Sequence, residues 1–231
     1  MSKRKKFFLL FVFIIFDMVL LIGFLVIRDA TMLNDLKKEV SSVAKLDITK
    51  DRYNTPIKSR GNYAIVEEAI KEYLDDYAVL LQETLSIIQD EKLTKVLSFD
   101  NYSSDGPEFV QSFEYLTSTK KKFDENMNLL LEKMEEEKMS NYINDKTENS
   151  YYRDLYRELM LDVNVKSDIQ ETKDLLYKTQ IRVDNILDVS SEVLKFLVTT
   201  KDSWKLEEGQ IQFLTEDLYN QYNALVSKLS S

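Results

Sequence analysis

Residues 169–197 read IQETKDLLYKTQIRVDNILDVSSEVLKFL and contain the most regular hydrophobic pattern in the chain. A series of core-type positions begins at Ile169 and continues in alternating steps of three and four residues to Leu197. This spacing places the series on one face of an α-helix. Thr172 and Ser190 belong to the same series, which predicts small spacers packed against bulky aromatic side chains of neighbouring helices. The stretch therefore predicts a long helix within a helical bundle.

The composition of the whole chain favours long helices. Its 231 residues include only 4 Gly and 2 Pro, whereas strands and tight turns need these residues at their ends. We therefore expect an all-α fold whose main body is an antiparallel bundle of four to five long helices. Further helical patterns cover residues 62–97, 107–143, 151–161 and 214–229. The polar segments 98–106 and 144–149 are predicted to be loops.

The segment 204–213, WKLEEGQIQF, departs from the helical pattern. Gly209 permits a left-handed turn, and the residues on either side loosely resemble two short extended pieces. We expect a turn that joins two antiparallel helices, with Trp204 packed over the end of the bundle.

An apolar stretch of different character lies at residues 7–27, which read FFLLFVFIIFDMVLLIGFLVI. As a helix this stretch spans about 30 Å, the thickness of the hydrocarbon core of a bilayer. A cleaved signal peptide is the alternative, but its apolar region is only about 7–15 residues long and small residues follow it. Here the run is longer and ends in LVIR, without such a cleavage site. The sequence thus favours a retained signal-anchor that crosses the membrane once.

The charges on either side of this stretch predict its orientation. Residues 3–6 read KRKK, whereas Asp29 and Asp35 follow the stretch. Because basic flanks stay on the cytoplasmic side, we expect a cytoplasmic N-terminus and an extracytoplasmic body at the cell membrane.

Net charge and missing residue types exclude several functions. The chain has a net charge of −9, and an acidic body repels nucleic-acid phosphates. The absence of His and Cys removes the commonest general base, the commonest zinc ligands and the thiol nucleophile. We therefore expect no enzyme activity, no cofactor or metal site and no nucleic-acid partner.

The domain organisation predicted from these patterns has four parts. They are a cytoplasmic basic tail at 1–6, a transmembrane anchor at 7–27, a stalk helix with a hinge at 28–60, and an extracytoplasmic helical bundle at 61–231. The hinge prediction depends on turn-forming residues between positions 47 and 61, among them Pro56 and Gly61.

Two sets of residues are candidate contact sites. Asp17 lies at the centre of the anchor, where a carboxylate costs about 2.5–3.5 kcal/mol on insertion scales. It either pairs with a polar or basic group of a partner membrane helix, or it is tolerated and protonated in lipid. Tyr151, Tyr152, Tyr156 and Trp204 are the candidates for a protein-binding surface, since such side chains combine an apolar body with a polar tip. The alternative for these four is packing at the edge of the bundle.

The layout favours a membrane-anchored extracytoplasmic helical-bundle protein that serves as an interaction or scaffold module of the cell envelope. It would bind the lipid bilayer through residues 7–27 and another envelope or membrane protein through its body. The alternative is a sensory or ligand-binding ectodomain that signals through a partner membrane protein. The abundance of Lys, Asn, Ile and Tyr is typical of an AT-rich bacterial genome. The layout is shared by many unrelated proteins and does not select between the two functions.

Overall fold

The computed structural model describes the backbone of residues 3–161 and 163–230 and the side chains of residues 23–161 and 166–229. Within these ranges the chain is predominantly helical, so the predicted all-α class is confirmed. The chain forms two compact units. Unit 1 comprises Met1–Asp76 and Ser140–Asp162, and unit 2 comprises Tyr77–Met139 and Val163–Ser231.

The helices in chain order are α1 (Lys3–Val43), α2 (Tyr63–Ile88), α3 (Glu91–Lys95), α4 (Phe99–Asp105), α5 (Val110–Lys133), α6 (Glu136–Asn144), α7 (Ser150–Met160), α8 (Val163–Thr199) and α9 (Glu216–Ser227). Strands β1 (Trp204–Glu207) and β2 (Gln210–Phe213) lie between α8 and α9. Short 3-10 turns occupy Lys201–Ser203 and Lys228–Ser230.

Local capping explains two helices whose bounds differ from the prediction. The predicted loop 98–106 contains α4, because the Ser98 side chain caps its first turn by accepting the Asn101 N–H at 3.3 Å. The predicted helix 62–97 ends at Ile88, and the Asp90 carboxylate then starts α3 by accepting the Lys92 N–H at 2.9 Å. Asp90 and Ser98 have extended backbone, with ψ values of 119° and 159°, so each lies outside the helices on either side of it.

The predicted helix 107–143 is divided into α5 and α6. The Met134 and Glu135 N–H groups bond to carbonyls three residues back, at 3.2 and 3.0 Å, so the last turn of α5 tightens and the helix stops. At the other end the Asp105 carboxylate accepts the N–H groups of Gln111 and Ser112 at 3.1 and 2.7 Å. Asp105 thereby satisfies the first turn of α5 from outside the helix.

The predicted turn at 204–213 is an antiparallel β-hairpin in which Trp204 pairs with Phe213. Glu208 and Gly209 form its two-residue loop with φ values of 50° and 77°. Two successive left-handed residues are the signature of a type I′ turn, whose twist matches that of paired strands.

The core of unit 2 is apolar and lies mainly between α5 and α8. Phe123 and Leu130 of α5 are fully buried, as is Leu194 of α8, and Leu187 is 2% exposed. Ile186, which the heptad series places in the core, is 37% exposed. Five other members of the series are at most 9% exposed: Leu176, Val183, Ser190, Val193 and Leu197. The buried face of α8 therefore follows the predicted series and also includes Leu187 and Leu194.

Unit 1 is built from the second half of α1, the beginning of α2, and α7. Leu36 and Val43 of α1 are buried, together with Tyr63 and Ile70 of α2 and Tyr156 of α7. These burials show that the segment predicted to be a stalk packs into a folded unit over its last two turns. The predicted domain ranges themselves stay a prediction.

Among the described residues, no helix combines the length and the apolarity that a membrane span requires. The side chains of residues 7–22 in the predicted anchor, including Asp17, lie outside the described residues. The predictions of an anchor and of an intramembrane contact at Asp17 therefore stay predictions.

Candidate functional site

A segment without regular secondary structure connects α1 to α2 and runs along α2. We call residues 52–59 of this segment the strap. Glu67, Lys71 and Asp75 of α2 hold it, and their spacing of four residues places all three on one stripe of the helix. The sequence predicts a hinge here, whereas the structure secures the segment at both ends and at its centre.

Asp75 secures the first part of the strap. Its carboxylate accepts two hydrogen bonds from the Arg52 guanidinium, at 2.8 and 2.6 Å. It also accepts the backbone N–H groups of Tyr53 and Asn54, at 2.8 and 3.2 Å. The Arg52 guanidinium lowers the pKa of Asp75 to about 2, with the two backbone donors adding to the effect against partial burial. This end of the strap therefore depends on a carboxylate that stays ionised down to strongly acidic pH.

Lys71 secures the centre and joins α1 to α2. Its Nζ donates to Glu39 Oε1 of α1 at 2.9 Å, to Glu67 Oε1 at 2.6 Å and to the Pro56 carbonyl at 2.9 Å. The three charged side chains expose at most 8% of their surface. Glu39 also pairs with the Lys58 ammonium at 2.8 Å.

Glu67 secures the far end of the strap. Its carboxylate accepts the backbone N–H groups of Lys58 and Ser59, with the Ser59 bond at 2.6 Å. Burial raises the pKa of Glu67, but the hydrogen bonds from Lys71 and Ser59 outweigh it and leave the pKa below its usual value. Glu39, Glu67, Lys71 and the strap thus form one buried ion network. Removing one partner of such a network leaves an uncompensated buried charge, at a cost of roughly 3–5 kcal/mol.

A groove of about 650 Å³ opens beside the ion network in unit 1. Strap residues 54–57 form one side, and carboxylates of α2 form the other: Glu68, Glu72, Asp75 and Asp76. Lys146 lies at its edge and pairs with Glu68 at 3.2 Å and Glu72 at 2.8 Å. Four carboxylates and two ammonium groups line the groove, so it has a net negative charge and favours a cationic group over an anionic one. Lys146 pairs with two of these carboxylates and Arg52 with a third.

The four predicted surface aromatics do not share one environment. Tyr151 is 48% exposed and Tyr152 is half-buried, whereas Tyr156 is fully buried in unit 1 and contributes no surface. Trp204 belongs to unit 2, where its indole N–H donates to the Leu197 carbonyl at 2.8 Å and its ring stacks on Phe109. The packing of Trp204 over the end of the bundle and its role in a partner surface both stay predictions.

Tyr151 and Tyr152 form a cluster with a residue that the sequence did not single out, Tyr63. The hydroxyls of Tyr63 and Tyr151 share a hydrogen bond of 3.1 Å. The ring centroids lie 5.1–6.4 Å apart with edge-to-face geometry. Burial raises the pKa of Tyr63, and Tyr151 and Asp29 raise it further. We call these three residues the tyrosine cluster.

The ion network was missed because its residues resemble an exposed helical pair. Glu67 and Lys71 stand four residues apart, which is the usual spacing of a solvated ion pair on a helix surface. The available signal was their position directly beside the apolar series Val66 and Ile70. A charged pair that borders a core stripe is a candidate for burial, but only a third element such as Glu39 decides it.

Comparison of the chain with protein-family models, with curated proteins and with solved structures gave no match.

Proposed function

We propose that this chain is a single-pass membrane protein whose helical body serves as an interaction or scaffold module outside the cytoplasm, in the cell envelope. The observation that carries the proposal is that one helix contains both the apolar stretch and Glu39 of the ion network. Helix α1 runs over Lys3–Val43, and residues 7–27 belong to it. An anchor and a folded unit joined in this way hold any bound partner at a set distance from the membrane.

The short connection supports this role. Glu39 follows Ile27 by 12 residues, which is about 18 Å along a helix. Phe24, Leu25, Val26 and Ile27 are 49–69% exposed, a run of apolar side chains that water does not favour. A bilayer would cover this run as the continuation of the anchor.

Cysteine labelling tests the anchor and its orientation, because the native chain contains no Cys. Lys205 is exposed, so Lys205→Cys in intact cells should react with a membrane-impermeant maleimide. Ser2→Cys should react only after permeabilisation, and the chain should stay with the membrane during alkaline extraction. Recovery in the soluble fraction, or the reverse labelling pattern, would overturn the proposal.

The partner is tested by crosslinking in native membranes. Wild type should capture a second envelope or membrane protein, and Asp17→Leu should lose it if the contact lies within the bilayer. A partner retained by Asp17→Leu would assign the contact to the body, and no partner under either condition would contradict the scaffold role.

A second candidate is a sensory or ligand-binding ectodomain, and the acidic groove of unit 1 favours it. Spermidine is a suitable probe of cationic character and should raise the melting temperature of the full chain in detergent. The double variant Glu68→Gln/Glu72→Gln should abolish this rise, whereas Glu158→Gln, which lies on α7 outside the groove lining, should preserve it. Equal responses of all three proteins would remove this candidate.

A further inference from the structure

We propose that Tyr151 and Tyr152, the two members of the tyrosine cluster that are not buried, form a membrane-interface surface that rests in the lipid headgroup layer, with the buried Tyr63 beneath them. The inference deepens the proposed function and rests on it, because it takes residues 7–27 as the bilayer anchor. Three independent contacts within unit 1 place the cluster at the membrane-proximal end of that unit.

The first contact concerns α7. Tyr151, at the beginning of α7, shares a hydrogen bond with Tyr63, whose pKa is also raised by Asp29 of α1. Glu158, near the end of α7, pairs with Lys37 of α1 at 3.9 Å. Helix α7 thus runs beside α1 in the same direction, from the level of residue 29 to the level of residue 37. The beginning of α7 is the end nearest the apolar stretch.

The second contact concerns α2, which begins at Tyr63. Lys71 of this helix forms an ion pair with Glu39 of α1. Helix α2 therefore also runs beside α1 in the direction from Asp29 toward Glu39. The third is the close approach of Gly61, where an added Cβ would lie 3.7 Å from Met32 Sδ. The first residues of α2 and α7 therefore share one end of unit 1 with residues 29–32.

The depth of this end follows from helix geometry. Asp29 is two residues beyond Ile27, which is about 3 Å along the axis. The headgroup layer extends roughly 5–7 Å beyond the hydrocarbon core on each side. Tyr151 and Tyr152 therefore lie at the depth where Tyr is enriched in membrane proteins.

The exposure and charge of this end of unit 1 also suit contact with lipid headgroups. Tyr151 is 48% exposed although it belongs to an aromatic cluster, so half of its surface faces outward from unit 1. Arg28 and Arg60 are exposed in the segments next to Asp29 and Gly61, and guanidinium groups pair well with lipid phosphates. A lipid headgroup layer offers an apolar boundary and phosphates together.

Depth-dependent fluorescence quenching tests the inference in full-length protein reconstituted into phosphatidylcholine vesicles. Trp204→Phe removes the one native Trp and provides the background for three single-Trp variants. Tyr151→Trp keeps an aromatic ring in the cluster, Phe16→Trp reports the anchor, and Ser41→Trp is an exposed control on α1 about 21 Å beyond Ile27. Lipids brominated near the headgroup and lipids brominated deep in the chain serve as separate quenchers.

We expect the Trp at position 151 to be quenched by the shallow bromines at least about twofold more than the Trp at position 41. The Trp at position 16 should respond most to the deep bromines. Quenching at position 16 without quenching at position 151 would overturn the interface inference and leave the anchor standing. Absence of quenching at position 16 would overturn the anchor itself.

Discussion

The two units solve the same packing problem with different chemistry. Unit 2 buries apolar side chains between α5 and α8, with Phe123 and Leu194 fully inaccessible to water. Unit 1 buries an apolar core as well, but it also encloses Glu39, Glu67 and Lys71. Apolar contacts tolerate many arrangements of similar volume, whereas a buried charge requires its partners at defined positions. The connection between α1 and α2 is therefore the geometrically specified part of the molecule.

Two carboxylates, one in each unit, respond to acid in opposite directions. In unit 1 the pKa of Asp75 is lowered, mainly by Arg52. In unit 2 burial raises the pKa of Asp184, and the neighbouring charges of Asp124 and Asp188 raise it further against the opposing effect of Lys120. Acidification should therefore weaken a contact in one unit and strengthen a contact in the other.

The largest expected effect comes from breaking the ion network. Lys71→Met leaves Glu39 and Glu67 buried without their cation, and we expect a loss of roughly 3–5 kcal/mol in the free energy of unfolding. Urea unfolding of the full chain in detergent measures it, and hydrogen exchange should show a larger increase in α7 than in α5. Lys37→Met removes the half-exposed partner of Glu158 and should cost less than about 1 kcal/mol. Equal losses of unfolding free energy in the two variants would show that the buried ion network stabilises the fold no more than an exposed ion pair does.

The next effect concerns the end of the strap and its pH dependence. Asp75→Asn removes charge-assisted hydrogen bonds, and we expect a loss of about 1.5–3 kcal/mol at pH 7. Because the folded pKa of about 2 lies below the unfolded value, the stabilisation is present above about pH 4 and is lost as the pH falls toward 2. Unfolding titrations between pH 2 and pH 7 should thus converge for wild type and variant at the acid end. Asp154→Asn, at an exposed pair with Arg157, is the control and should run parallel to wild type.

A smaller effect of opposite sign is expected in unit 2. Within the described residues no donor reaches Asp184 Oδ1, which is buried. Because the pKa of Asp184 is raised in the folded state, the contribution of this group to stability is complete below the pKa of the unfolded chain. That contribution is lost as the pH rises through the pKa of the folded chain. Asp184→Asn should therefore stabilise the chain by up to about 1 kcal/mol at pH 7.

The matched control for this variant is Asp188→Asn. The Asp188 carboxylate accepts a hydrogen bond from Lys120 at 2.6 Å, so its neutralisation removes a favourable pair and should not stabilise. The same sign of change in both variants would contradict the assignment of Asp184 as the strained carboxylate.

The smallest effect concerns the hairpin loop. Glu208 adopts φ 50° in a type I′ turn, where Asn is preferred, so Glu208→Asn should raise stability by about 0.5 kcal/mol. Gly209→Ala places a Cβ at φ 77° and should cost about 1–2 kcal/mol. Melting temperatures of the two variants should move in opposite directions, and a rise for both would show that the loop does not keep its left-handed geometry.

The sequence by itself determined the all-α class and the identity of most long helices, because both follow from a periodicity that is local to each segment. Tyr151, Tyr152, Tyr156 and Trp204 were proposed as a surface from their chemistry alone, which cannot tell that Tyr156 is buried. The sequence also identified Gly209 as a left-handed position, although it did not predict that two strands pair around it.

Only the tertiary structure decided which charged residues are buried. Glu39, Glu67 and Lys71 look like exposed helix residues when each helix is considered separately, and Tyr63 looks like one aromatic among many. Their burial depends on α1, α2 and the strap meeting in space, and no local pattern encodes that meeting. The free energy of a buried charge is set by the partners that surround it, and those partners come from distant parts of the chain.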